Sequence, residues 1–249
     1  MELLLQRALV FTQNGQRTQF INQLKSLPNV CAVVISCVDP RVSPTKFLCS
    51  QPGQMFTIRN AGNFVPCGEP HSEASCTVLG TIDLACIRGK ANELIVCGHS
   101  DCKAMHLLNS IGPSLVRGDL PVSQMSPIEK WVAMNGLASY RKHTLNLDVL
   151  HFPVVDPQVR KSNFNLKLSS LKDFEECDRL SQVNVVQQMT NFYCQPLLAE
   201  RLRNGSFNVH GLWFQIHSGQ LYMFSRDRQS FVPVTGDTLP DLVKELDSP

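Results

Sequence analysis

Two cysteines and a histidine, Cys37, His99 and Cys102, stand where one soft divalent cation could gather them. Cys37 opens the segment Cys37-Val38-Asp39-Pro40-Arg41, while His99 and Cys102 frame His99-Ser100-Asp101-Cys102. Thiolate and imidazole donors suit zinc, and three protein ligands leave a tetrahedral ion one position for water, whereas structural zinc usually takes four Cys or His side chains. A metal with such a vacancy acidifies its water into a nucleophile, so the pattern points to catalysis. Two thiolates donate more charge than imidazoles and weaken that acidification, which Asp39 and Arg41 could offset. Asp39, two residues past the first ligand, can either bind the metal or accept a hydrogen bond from the water. A two-pronged pair with Arg41 would keep the carboxylate ionised and turned away from the ion, a geometry that lysine cannot copy. The competing reading is an ordinary surface Asp-Arg pair in a turn.

Each segment follows a short, β-branched apolar run, Cys31–Ser36 and Glu93–Gly98. Runs of that kind read as parallel strands buried on both faces, and ligands just past them sit at the carboxyl edge of the sheet. Met55–Ile58 reads as a further strand. Helices are expected from about Ser72 to Arg88, from Cys102 to about Ser110, and over 173–204, where Leu180, Val183, Val186 and Met189 keep helical spacing. Residues 111–170 carry scattered Pro and Gly and allow only loose helical pieces such as Pro127–Val132. Near the end, Phe207–Ile216 and Leu221–Phe224 flank a turn at His217–Gln220, the pattern of a β-hairpin. Apolar spacings before Pro28 fit amphipathic helices. The expected fold is α/β: a mainly parallel central sheet with flanking helices, a helical arm over 1–28 and a core over 29–249 in one domain, ending in an antiparallel strand pair.

With those segments in place, the chain resembles the β-class carbonic anhydrases, and their animal branch in particular. The likeness runs through CVDPR at 37–41, GQMFTIRNAGNFVP at 53–66, VCGHSDCKAM at 96–105, LSQVNVVQQMTNF at 180–192 and HGLWFQIHSGQLYMFS at 210–225. CxDxR and HxxC are weak patterns alone, but in order, roughly 60 residues apart with RNAG between them, they form a specific set. The resemblance implies one zinc per subunit on Cys37, His99 and Cys102. It implies reversible hydration of carbon dioxide to bicarbonate and a proton, by zinc-bound hydroxide attack assisted by the Asp39-Arg41 dyad. Phe56 and Ala61 match or adjoin family positions lining a small apolar substrate pocket. Backbone N–H groups at Lys103 would hold the developing oxyanion at a helix N-terminus, and Gly98 would let the chain pass close to the metal. Plant-type members carry a pocket tyrosine and a substrate-orienting glutamine where this chain has Leu84 and Pro28. The resemblance also implies a homodimer or dimer of dimers, with the N-terminal helices packed across a neighbouring subunit and the hairpin residues Trp213, Phe214, Leu221 and Tyr222 as a contact surface or core. Carbonyl sulfide and carbon disulfide are alternative linear substrates; a closed, purely structural zinc site would need neither Asp39 nor Arg41.

Composition agrees with an enzyme of this kind. The 249 residues are 43% hydrophobic and 18% charged, enough for a sizeable core. A net charge of +2 with dispersed Lys and Arg gives no footprint for nucleic acid, and no apolar stretch of about 18 residues calls for a membrane. Ten cysteines placed within apolar runs read as reduced thiols. Cys31 and Cys97 read as packing residues, while Cys49, Cys67, Cys76, Cys86, Cys177 and Cys194, like His71, His106, His143, His151, His210 and His217, lack metal-ligand partners. The compartment expected is the cytoplasm; the alternative is the mitochondrion, because Glu2 is the only acidic residue before Asp39 while Arg7, Arg17 and Lys25 are basic.

Overall fold

Continuous β-branched runs need cover on both faces, and the centre of this chain is built to give it. The computed structural model describes residues 1–13, 15–25, 30, 32–67, 76–145, 147–154 and 163–247. Two helices, α1 (Glu2–Gln13) and α2 (Gln16–Lys25), precede strand β1 (Ala32–Cys37). The short α3 (Pro44–Phe47) leads to β2 (Met55–Asn60). Then α4 (Thr77–Ile82), widening into a π-helical stretch Asp83–Arg88, leads to β3 (Glu93–His99). After α5 (Lys103–Arg117) and α6 (Pro127–His143) come β4 (Val149–Phe152), β5 (Phe164–Lys167), α7 (Glu176–Tyr193) and α8 (Ala199–Arg203). Strands β6 (Asn208–Gln215), β7 (Gln220–Ser225) and β8 (Ser230–Pro233) and helix α9 (Leu239–Asp247) complete the chain.

The main sheet runs β2-β1-β3-β6-β7-β8. Its first four strands are parallel, and β7 and β8 are antiparallel to their neighbours. The fold class read from the sequence is therefore the one observed, with two additions. The hairpin joins the main sheet through β6, paired in parallel with β3, and a third strand, β8, extends the antiparallel edge. The start expected for the helix near Ser72 lies outside the described residues; its body is α4 and the π-helical stretch that follows.

Alternation decides which face each side chain covers. Val33, Ile35, Leu94, Val96, Val209 and Trp213 point into the large core. Val34, Cys97 and Leu212 point the other way, beneath Phe47, Leu48 and the partly buried Met55, Ile95, Leu221 and Met223. The hairpin aromatics divide likewise: Trp213 is fully buried in the core with Tyr222 against it, whereas Phe214 stacks on Phe47 at 4.5 Å between ring centres on the opposite face. Helix α7 lies across β3 and β6. It lies so close because both strands present glycine: a Cβ at Gly98 would meet Val185 Cγ2 at 2.6 Å, and one at Gly211 would meet Met189 Sδ at 2.7 Å. Gly98 thus admits α7, a reason different from the close approach to a metal expected for it.

Candidate functional site

The parallel strands β1 and β3 end side by side, and their last residues are Cys37 and His99. Cys37 and His99 therefore occupy the final strand positions rather than the loops beyond, which gives them the stiffness of the sheet. Cys102 caps α5 at its N-terminus. The ligand atoms of Cys37, His99 and Cys102 lie within 4.8 Å of one another and all three residues are buried. It is the one such His/Cys/Asp/Glu group among the described residues.

The donors fit zinc. Two sulfurs bound to one tetrahedral zinc at about 2.3 Å would stand about 3.8 Å apart, and Cys37 Sγ and Cys102 Sγ are separated by 3.9 Å. His99 Nδ1 lies 2.8 Å from the Ser100 carbonyl oxygen. A proton donated there fixes the tautomer and leaves Nε2 as a lone pair. That Nε2 is buried without a hydrogen-bond partner, an expensive state for a nitrogen unless a ligand takes it. The thiols are poised for the same event. A hydrogen bond from Cys102 lowers the Cys37 pKa to about 4 against the opposing effect of burial, with the Gly62 N–H adding to the shift. The same pairing, together with burial, pushes Cys102 up. A cation held there would displace the proton the pair shares.

The surroundings fix each ligand. Arg59 donates to the Cys37 carbonyl from Nη2 at 2.8 Å and to the Asp39 carbonyl at 2.6 Å, clamping the turn after β1. Gly62 N–H points at Cys37 Sγ from 3.5 Å. Its left-handed φ of +89° makes the turn that Asn60 pins by accepting from Phe64 N and donating to Phe64 O. Ser181 of α7 donates to the His99 carbonyl at 2.9 Å. A row of buried amides on α7, continued by Gln195 just past its end, holds the segment opposite: Asn184 donates to Gly62 O, Asn191 to Val65 O and Gln195 to Pro66 O, while Gln188 accepts from Val65 N. Hydrophobic spacing could not have found this row, because it registers only the apolar residues between them.

Asp39 stands outside the ligand cluster, turned onto Arg41. Arg41 donates from Nε to Oδ1 at 3.0 Å and from Nη2 to Oδ2 at 2.7 Å, the two-pronged geometry of a guanidinium on a carboxylate. These bonds hold the Asp39 carboxyl at about 2, so it is an anion and an acceptor throughout the neutral range.

Of the other residues singled out, Ala61 packs partly buried in the small cluster that contains Cys37, Phe64 and Cys102. Lys103 is the first residue of α5, with its N–H at the helix start. Phe56 is placed elsewhere. It pairs with Val33, four residues and about 13 Å before the Cys37 end of the strand, and packs on the large core. Leu84 is half-exposed; Pro28, Cys31 and His71 lie outside the described residues. Burial raises Cys97 to about 12, as suits a packing thiol.

A carbonic anhydrase family profile matches residues 32–221. Beta carbonic anhydrase 1 of Caenorhabditis briggsae is 35% identical over 232 residues, covering 88% of this chain and 82% of that protein. Its Caenorhabditis elegans counterpart is 34% identical over 253 residues, covering 97% and 92%. In three dimensions the chain is similar to the solved β-carbonic anhydrase CcaA, with a TM-score of 0.67 at 23% identity over 95% of this chain and 92% of the other.

Proposed function

The chain belongs to the β-class carbonic anhydrases and is a carbonic anhydrase, acting on carbon dioxide; from that premise we propose that Cys37, His99 and Cys102 hold its zinc and that Asp39 and Arg41 control the water beside it. Bound there, zinc supplies a Lewis acid that lowers the pKa of a coordinated water, an effect for which the three-histidine carbonic anhydrases are the standard example. The observation that carries the reading is the buried, unpartnered Nε2 of His99 beside two sulfurs 3.9 Å apart.

The chain's own residues supply the rest. Asp39 is ionised and can only accept, so it takes a hydrogen bond from the reacting water and fixes its orientation. Arg41 engages both Asp39 oxygens and thereby keeps the carboxylate from swinging onto the metal. Ala61 leaves space for a linear triatomic substrate, and the Lys103 N–H at the start of α5 faces negative charge developing on its oxygen. Bicarbonate is the product that leaves. Phe56 contributes to the pocket only across a subunit boundary, given its distance along β2. A homodimer or dimer of dimers provides that boundary. It is supported by the leucines that α1 and α2 leave exposed, with 1–28 as the arm and 29–249 as the catalytic core. No helix among the described residues is long and apolar enough to cross a membrane. The free cysteines Cys37, Cys97 and Cys102 support a reducing compartment, which we take to be the cytoplasm.

Stopped-flow hydration of carbon dioxide, with zinc measured on the same sample, tests the mechanism. Asp39→Asn is expected to retain one zinc per chain and to slow turnover, because the amide can present a donor to the water in place of an obligate acceptor. Hydration at the unaltered rate would remove Asp39 from the mechanism.

A further inference from the structure

Arg41 is bound on two sides. Its Nε and one Nη2 hydrogen go to Asp39, while Nη1 donates to Asp101 Oδ2 at 2.9 Å and Nη2 also reaches the Asp101 carbonyl at 3.2 Å. Asp101 lies between the ligands His99 and Cys102, so this contact joins the turn after β1 to the turn after β3. Asp101 is itself tied down: with φ at +51° it adopts the left-handed conformation that aspartate tolerates better than most residues. Its N–H donates to Asp178 Oδ1 of α7 at 2.8 Å. Asp178 is buried, and its carboxyl is pushed up by that burial. The remaining Asp101 oxygen, Oδ1, takes Lys103 Nζ at 2.8 Å and faces His106 Nε2 at 3.0 Å. A continuous line of hydrogen bonds therefore runs from α7 through Asp178, Asp101 and Arg41 to Asp39.

We propose that Asp101 is a positioning residue for the hydration reaction: it braces the Arg41 guanidinium so that Asp39 is held in one orientation toward the reacting water. The inference rests on the reading that Asp39 and Arg41 act together on that water. The physical need is plain. The Arg41 side chain is 42% exposed although its Asp39 partner is only 9% exposed, and a guanidinium that open to water samples other rotamers unless further partners hold it. Asp39 on the Nε–Nη2 edge and Asp101 on the adjoining Nη1–Nη2 edge leave the planar guanidinium a single low-energy orientation.

The test deletes only the brace. Asp101→Gly keeps the left-handed backbone, the N–H to Asp178 and the carbonyl to Arg41 while removing the carboxylate; Asp101→Asn restores one acceptor oxygen. Asp101→Gly is expected to lower kcat for carbon dioxide hydration by about three- to tenfold with KM and zinc content unchanged, and Asp101→Asn to recover more than half of the loss. In an Asp39→Asn background, Asp101→Gly should cost nothing further, because both changes break the same line. A second readout needs no metal: in zinc-free protein the Arg41 Nε–H, followed by nitrogen-15 NMR, should exchange with solvent more slowly in the parent than in Asp101→Gly. Equal losses in the two backgrounds, or unchanged Nε–H exchange, would overturn the brace while leaving the dyad standing. Full activity in Asp39→Asn alone would overturn the dyad reading and the brace with it.

Discussion

Helix α7 buries its asparagines and glutamines, whereas α1 and α2 hold leucines in solvent. From Leu180 to Tyr193 nearly every α7 residue is buried, polar or not, while Leu3, Leu4, Leu5, Leu9 and Val10 are each more than half exposed and neither N-terminal helix buries a residue. Polarity alone did not decide either outcome. Asn184, Gln188 and Asn191 each meet a backbone group of residues 62–66, a stretch outside sheet and helix whose peptide groups need partners from elsewhere. The leucines of α1 and α2 have no facing apolar wall among the described residues; Phe11 and Phe20 meet edge to face at 5.9 Å and tie the two helices together. Covering one such leucine would be worth about 1.5–3 kcal/mol, a driving force for the subunit association we propose.

This contrast can be broken from either side. The largest effect belongs to the metal ligands that α7 and the strand ends support. Cys37→Ser or His99→Ala leaves only two strong ligands, so zinc and hydration activity should disappear together; zinc at full stoichiometry in either variant would refute the assignment. Next comes the amide row. Asn184→Leu strips partners from Gly62 O, Ser139 Oγ and Gln188 Nε2, and urea denaturation should show a loss of about 2–4 kcal/mol, with weaker zinc retention because the Gly62 turn is freed. Neutral behaviour would mean that the row is incidental.

On the other side, removing residues 1–25 should change the unfolding free energy of the separated subunit by less than about 1 kcal/mol, yet sedimentation should show a smaller assembly. An unaltered assembly would mean that those leucines have no partner subunit. The smallest effect is electrostatic. The Asp39 carboxyl is lowered from 3.8 to about 2 by Arg41, so its pair stabilises the fold above about pH 4 and that contribution is lost as the pH falls through about 2. Zinc-free parent and Asp39→Asn proteins should therefore differ in stability near neutrality and converge at the acid end; a constant gap would mean that the pair is not linked to folding.

The sequence made the chemistry legible before the architecture. The Cys37-His99-Cys102 cluster, the Asp39-Arg41 pair and the two central strands follow from residue type and β-branched runs, and these are local signals. The register that sets Cys37 and His99 at the strand ends, rather than past them, depends on pairing between strands. Helix α5, read from the sequence as ending near Ser110 where scattered Pro and Gly begin, continues to Arg117. Gly112 is there for packing: a Cβ would meet the Tyr140 ring at 2.5 Å where α5 and α6 cross. Strand β8 left a weak pattern, whereas helix α9 was missed although Leu239, Leu242, Val243 and Leu246 keep helical spacing; tertiary contacts hold it, among them Glu245, which accepts from Ser225 Oγ at 2.6 Å. Asp101 stood in plain view between two ligands, but only the folded chain shows that its carboxylate reaches back to Arg41.

X-ray absorption at the zinc edge of the purified enzyme tests the central claim most directly. The account predicts two sulfurs at about 2.3 Å, one imidazole nitrogen at about 2.0–2.1 Å and one oxygen from solvent. A first shell of four sulfur and nitrogen donors, with no oxygen, would contradict it.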